Sequence, residues 1–196
     1  MPTAVQTIRL EHFNISSVLY CLRYLLEEVE KGRWAPDFEL FSTILDYMER
    51  FPQVFHHPKE EDYLFAALRR RKPEIAGTLA KVHEEHLEGA RKLKELRLLL
   101  KIYQADRGAF ALFKEKAEYY IAFERRHMAR EERELLPLAL RVLQEEDWAA
   151  IDAAFVDNDD LLFGSERRKE FEGLIHQILA LAPTPLGFQE RQPVRV

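Results

Sequence analysis

Between Ile8 and Glu30, apolar residues recur at Ile15, Leu19, Leu22, Leu26 and Val29. Those steps of three and four mark one face of an amphipathic helix. KGRWAPD, residues 31–37, ends the pattern with Gly32 and Pro36. A second helical pattern begins near Asp37, puts Phe41, Ile44, Leu45 and Met48 on one face, and runs to about Arg71. Pro52 and Pro58 interrupt it and predict a kink. A third helix opens at Pro73 and Glu74, residues suited to a first turn. Its stripe is Leu79, Val82, His86, Leu93, Leu96 and Leu100, and Asp106–Gly108 ends it. The fourth runs from about Ala109 to Gln144 with Phe113, Tyr120, His127, Leu135 and Leu138 on one stripe, and Pro137 predicts a late kink. No segment alternates with period two for long enough to predict a strand. Four long helices joined by short breaks predict an all-α, up-down-up-down four-helix bundle over residues 1–145. Beyond it, EEDWAAIDAAFV predicts a short helix before a polar turn, SERRKEFEGLIHQILALA a further helix, and the proline-bearing end an extended tail. Residues 146–196 thus read as a C-terminal helical extension packed on the bundle rather than as a second domain.

The chain also repeats itself. HHPKEEDYLFAAL, from His56, aligns with HMAREERELLPLAL, from His127; EHFNISSVLYCL, from Glu11, aligns with EHLEGARKLKEL, from Glu85. In the second pair, leucines follow the histidine by seven and ten positions in both copies. Each half is therefore a helix pair. Its first helix carries a histidine and its second carries His-x-x-x-Glu, with separations of 44 residues from His12 to His56 and 41 from His86 to His127.

Residues four apart on a helix stand one turn apart and can converge on one ion. Imidazole is a neutral nitrogen donor, and a carboxylate is an anionic oxygen donor able to bridge two cations. The core of a bundle is where side chains of facing helices meet around such ions. His12, His56, Glu60, His86, His127 and Glu131 therefore form the candidate metal-ligand set. Donors of this kind without thiolate suit iron or manganese. One such motif means little: a lone core histidine is more often hydrogen-bonded than ligating, and an exposed helix carries His-x-x-x-Glu equally well. The weight comes from recurrence on the inward stripes, since unpaired carboxylates are costly to bury. His57 with Glu61 has the same spacing as His56 with Glu60 and stands as its rival. His83 reads as a supporting or solvent-facing residue. Tyr20, Tyr63, Tyr120 and Phe123 read mainly as packing groups, with a place near the metals as the alternative.

Composition removes other classes. The net charge of −5 gives no basic excess for nucleic acid, and RRRK at Arg69–Lys72 reads as a solvated helix end. The single cysteine, Cys21, excludes an internal disulfide and a cysteine-rich zinc site; among leucines it reads as a buried hydrophobe. With no signal-like segment and no membrane-length apolar run, a cytoplasmic protein is expected.

EHFNI, HHPKEEDYLF, EEHLEGA and HMAREERELLP, in that order, resemble the hemerythrin-like, or HHE cation-binding, domain over about the first 145 residues. The resemblance implies a bundle holding a non-haem centre of two iron ions, oxo- or hydroxo-bridged, with Glu60 and Glu131 bridging. Oxygen-carrying members use five histidines, a glutamate and an aspartate. Four histidines and two glutamates are closer to the subgroup linked to nitric-oxide handling and iron–sulphur repair, although the cysteine-bearing segment of the repair proteins is not present here. The expected function is binding or sensing of dioxygen or nitric oxide. Beside it stand an enzyme acting on peroxide or nitric oxide, and a repair or iron-donor protein. A homodimer is compatible with the sequence.

Overall fold

The computed structural model describes residues 1–156 and 164–182. Helix α1 spans Thr3–Glu30, beginning five residues before Ile8, where its predicted pattern starts. Gly32, at φ +66°, turns the chain in a backbone region that glycine enters without strain. Helix α2 occupies 38–71. Asp37 caps it by accepting a hydrogen bond from the Leu40 amide at 2.9 Å. Helix α3 is Ala76–Ala105. The Asp106 carboxylate accepts from the Gly108 amide at 2.8 Å in the turn that follows. Helix α4 occupies 110–142, and α5 (Glu145–Val156) and α6 (Gly164–Leu181) follow. Among the described residues there is no strand. The polar turn expected near Asn158 and the tail from Pro183 lie outside the described residues.

The prolines do not break α2. The helix widens instead into π turns at Phe51–His56 and Glu60–Phe65, and α4 does the same at Glu131–Leu135. At the first of these the His57 amide donates to the Pro52 carbonyl, five residues back. Pro58 has no N–H to offer the carbonyl one turn before it, which favours this change of register. Such π turns are frequent at functional sites.

Two apolar cores fill the bundle. One gathers Leu19, Leu22, Phe41, Met48, Leu93, Phe113 and Tyr120; the other gathers Ile8, Leu64, Leu68, Val82, Leu135 and Ala139. Residue numbers rise from the second core to the first along α1 and α3 and fall along α2 and α4. The four helices therefore alternate in direction, as the short connections require. Between the cores lies a layer of buried histidines and glutamates.

The terminal helices complete both cores. Phe171 and Ile178 of α6 join the first, with the Phe171 ring 5.0 Å from that of Phe51. Ile151 and Phe155 of α5 join the second. The Ala4 amide donates to Asp152 at 2.7 Å, and Arg71, from the basic run, binds Asp147 at 2.6 Å and Glu146 at 2.7 Å. Cys21 is buried, 5% exposed, as its leucine neighbours suggest. Among the described residues, no helix is long and apolar enough to cross a membrane.

Candidate metal centre

All six candidate residues are buried and meet in the layer between the cores, none more than 6% exposed. One ring nitrogen each of His12 and His56 and one oxygen each of Glu60 and Glu131 lie within 4.8 Å of one another. His86 and His127 form a second group on the same terms, and its third member is His57. The sequence treated His56 and His57 as rivals, but the structure brings both to the pocket. His57 stacks on His86 with ring centroids 3.9 Å apart. Adjacent residues on a regular α-helix point about 100° apart; the π turn ending at His56 gives the two rings their shared direction. Glu61, offered as the partner of His57, lies behind His86 instead and contacts its Nδ1 at 2.9 Å.

The two carboxylates span the groups. Glu60 Oε1 is 3.8 Å from His12 Nε2 and 3.5 Å from His56 Nε2, while its Oε2 is 3.8 Å from His86 Nε2. Glu131 Oε2 is 3.3 Å from His12 Nε2, while its Oε1 is 3.5 Å from His86 Nε2 and 3.4 Å from His127 Nε2. Each glutamate thus turns one oxygen to each group of histidines.

Behind the histidines stands a ring of carboxylates. Glu132 meets His12 Nδ1 at 3.0 Å, Glu11 meets His56 Nδ1 at 2.7 Å, and Glu85 meets His127 Nδ1 at 3.2 Å. With Glu61 on His86, these four rings have Nδ1 occupied, which leaves Nε2 facing the pocket. The ring is reciprocal: the glutamate before each lone histidine supports the His-x-x-x-Glu histidine of its own half, and the second Glu of each Glu-Glu pair supports the lone histidine of the other half. Lys59 binds Glu11 at 2.7 Å, and Arg130 binds Glu85. The signal for this ring was present in the repeated Glu-His and Glu-Glu dipeptides. His83, half exposed, also reaches Glu61, at 3.1 Å. Tyr20 and Tyr63 are 52% and 46% exposed and do not line the pocket, whereas Tyr120 and Phe123 are buried. Glu124, one turn before His127, is 2% exposed.

Electrostatics describe a pocket that must carry positive charge. Burial works against charge on His12 and His86. The carboxylates of Glu131 and Glu132 on the first, and of Glu131 and Glu61 on the second, outweigh it and push both imidazoles up to about 10. Burial pushes His56 down to about 4 despite Glu11, and holds His57, among other imidazoles, well below its ordinary value. Burial and the facing Glu131 drive Glu60 well above the carboxylate range. Glu131 is held well below it, because His127, His12 and His86 overcome its burial. In a protein-only pocket, protons on His12, His86 and Glu60 balance the carboxylates. Even so, both oxygens of Glu60 and of Glu131, and Nε2 of His86 and of His127, are buried without a hydrogen-bond partner. Buried polar atoms are rarely left so, and these are the atoms through which such side chains coordinate a cation. The donor set fits a metal.

The family model of the hemerythrin HHE cation-binding domain matches residues 3–139. The chain belongs to this family. No curated protein and no solved structure shows a match to it. As a hemerythrin-family protein it is a cation-binding bundle, and both histidine groups lie within the matched residues.

Proposed function

We propose that the pocket holds two iron ions and binds or senses a small diatomic ligand, dioxygen or nitric oxide. The observation that carries this reading is the way Glu60 and Glu131 each turn one oxygen to either histidine group. Such carboxylates suit two cations side by side, and imidazole with carboxylate and no thiolate suits iron. His57, His86 and His127 would hold one ion, His12 and His56 the other, and the two glutamates would bridge them. The second position receives one imidazole fewer, which leaves room for an external ligand. Bound there, iron supplies a coordination position and a redox couple.

The chain's own residues fix the rest. Glu11, Glu61, Glu85 and Glu132 orient the rings through Nδ1 and raise their basicity. The flanking apolar cores keep bulk water from the layer. Five neutral imidazoles leave the centre less anionic than a carboxylate-rich one would be, which favours reversible binding over oxidation of substrates. Anaerobic reduction followed by stopped-flow mixing with oxygen, and separately with nitric oxide, tests the reading. We expect an adduct with its own absorption spectrum that reverses on removing the gas. Iron-loaded protein that forms no adduct would overturn it; continuous turnover of peroxide or nitric oxide with an electron donor would favour an enzyme.

A further inference from the structure

Away from the histidine layer, an apolar groove of about 490 Å³ runs between α1 and α6. Its walls include Phe13, Val18, Tyr20, Cys21, Ile178 and Leu179, and no charged residue lines it, in a chain of which 32% is charged. Phe13 is 68% and Tyr20 52% exposed. Apolar surface held in water together in this way marks a binding site, and the volume is that of a small-molecule cleft, about 300–1,000 Å³. The groove meets positive charge at one side. Ser16 and Tyr20 also line a second cleft, of about 220 Å³, between α1 and α4, and the cations of that cleft are Arg23 and Arg125. The Arg23 guanidinium carbon stands 5.8 Å from the centroid of the Tyr20 ring and shares its charge with Glu27, 3.4 Å away. Among the described residues, none forms an ion pair with the exposed Arg125 guanidinium. Glu132, farther along α4, is bound to His12 instead.

We propose that this groove binds a long-chain carboxylate, a free fatty acid anion, with its hydrocarbon chain between α1 and α6 and its carboxylate on Arg125 and Arg23. The apolar walls ask for hydrocarbon, and the guanidiniums beside them ask for an anion that can accept two N–H groups at once. A peptide suits the groove less well. Its N–H and C=O groups need partners, while both walls are helices whose backbone groups are bonded internally, and the Ser17 hydroxyl on the wall already donates to the Phe13 carbonyl at 2.8 Å. A chain of net charge −5 is repelled by an anionic bilayer, which favours the free acid over a membrane surface as the source of the carboxylate. The site shares no residue with the six candidate ligands, so the proposal is independent of the two-iron reading.

The full chain is titrated calorimetrically with octanoate, decanoate and dodecanoate below their micelle concentrations, with dodecanol as the uncharged control, and its mass in solution is followed by sedimentation. Saturable binding of one carboxylate per chain is expected, tightening by about two- to fourfold for each added CH₂. Arg125→Gln should weaken dodecanoate by about threefold or more and leave dodecanol unchanged. Ser17→Trp, at an exposed position on the groove wall, should fill the groove and weaken both by about tenfold or more. No saturable binding of dodecanoate up to about 1 mM would overturn the proposal, as would an affinity that does not change with chain length or one that Arg125→Gln leaves intact. Binding to phosphatidylglycerol vesicles without binding of free dodecanoate would overturn it in favour of a membrane surface. A dimer that dodecanoate neither enters nor dissociates would overturn it in favour of a second copy of the chain as the occupant.

Discussion

Glu11→Ala and Glu85→Ala remove equivalent carboxylates from the two halves of the bundle, yet their costs should differ. Glu11 binds Lys59 at 2.7 Å, and Lys59 is only 8% exposed. Glu85 binds Arg130, whose side chain is 35% exposed. Removing one member of a buried ion pair costs about 3–5 kcal/mol, because the remaining charge was desolvated for that partner. Part of this is offset in Glu11→Ala: the Lys59 ammonium lies over the rings of Phe55 and Phe155, 4.1 and 4.8 Å from their centroids, and such contacts contribute about 1–2 kcal/mol. The net loss is about 2–3 kcal/mol. Arg130 reaches water, and a pair of that kind is worth about 0–1 kcal/mol. In a chain of this size each kcal/mol moves the melting temperature by about 2–4 °C. Glu11→Ala should therefore lower it by about 4–12 °C, and Glu85→Ala by no more than about 4 °C. The measurement is urea and thermal unfolding in the presence of a chelator, so that metal affinity does not enter. Equal losses, or a larger loss for Glu85→Ala, would refute the reasoning.

Three further outcomes follow from the same structure. A Cβ on Gly89 would stand 2.8 Å from Glu124 Oε1; the overpacking cost of about 1–3 kcal/mol should outweigh the helix-propensity gain of about 1 kcal/mol, so Gly89→Ala should destabilise by denaturant titration, and Glu124→Ala should relieve it. The metal-free protein should lose stability as the pH rises from 6.5 toward 10, because over that window the fold holds protons on His12 and His86 that the unfolded chain has released; unfolding free energy measured from pH 6.5 to 10 should fall, and a steady rise over that window would contradict the assignment. Metal uptake should release protons and strengthen with pH, read as proton release in a weakly buffered titration; uptake that releases no protons would show that His12, His86 and Glu60 are not displaced by the ion.

Much of this architecture was legible in the sequence, because helix-facing positions follow the 3.6-residue period and the repeat aligns both halves. Ile15, Leu19, Leu22 and Leu26 are buried as their spacing demands. The six candidate residues could be paired by the repeat without any fold in hand. His57 was harder to place, since regular helical geometry turns neighbouring residues apart and only the π turn ending at His56 brings both inward. The role of Glu11, Glu61, Glu85 and Glu132 depends on which helices face one another, which a single strand of text does not specify. Tyr20 and Tyr63 read from the sequence mainly as packing groups, with a place near the metals as the alternative, but both are about half exposed and do neither, because their faces turn outward.

The most direct test of the central claim is the metal content of the purified chain, measured per polypeptide together with its absorption spectrum. The account predicts about two irons per chain and, in the oxidised protein, charge-transfer absorption from a bridged pair that disappears in the Glu60→Ala, Glu131→Ala double variant. Fewer than two irons after anaerobic loading, or two irons retained unchanged in that double variant, would contradict it.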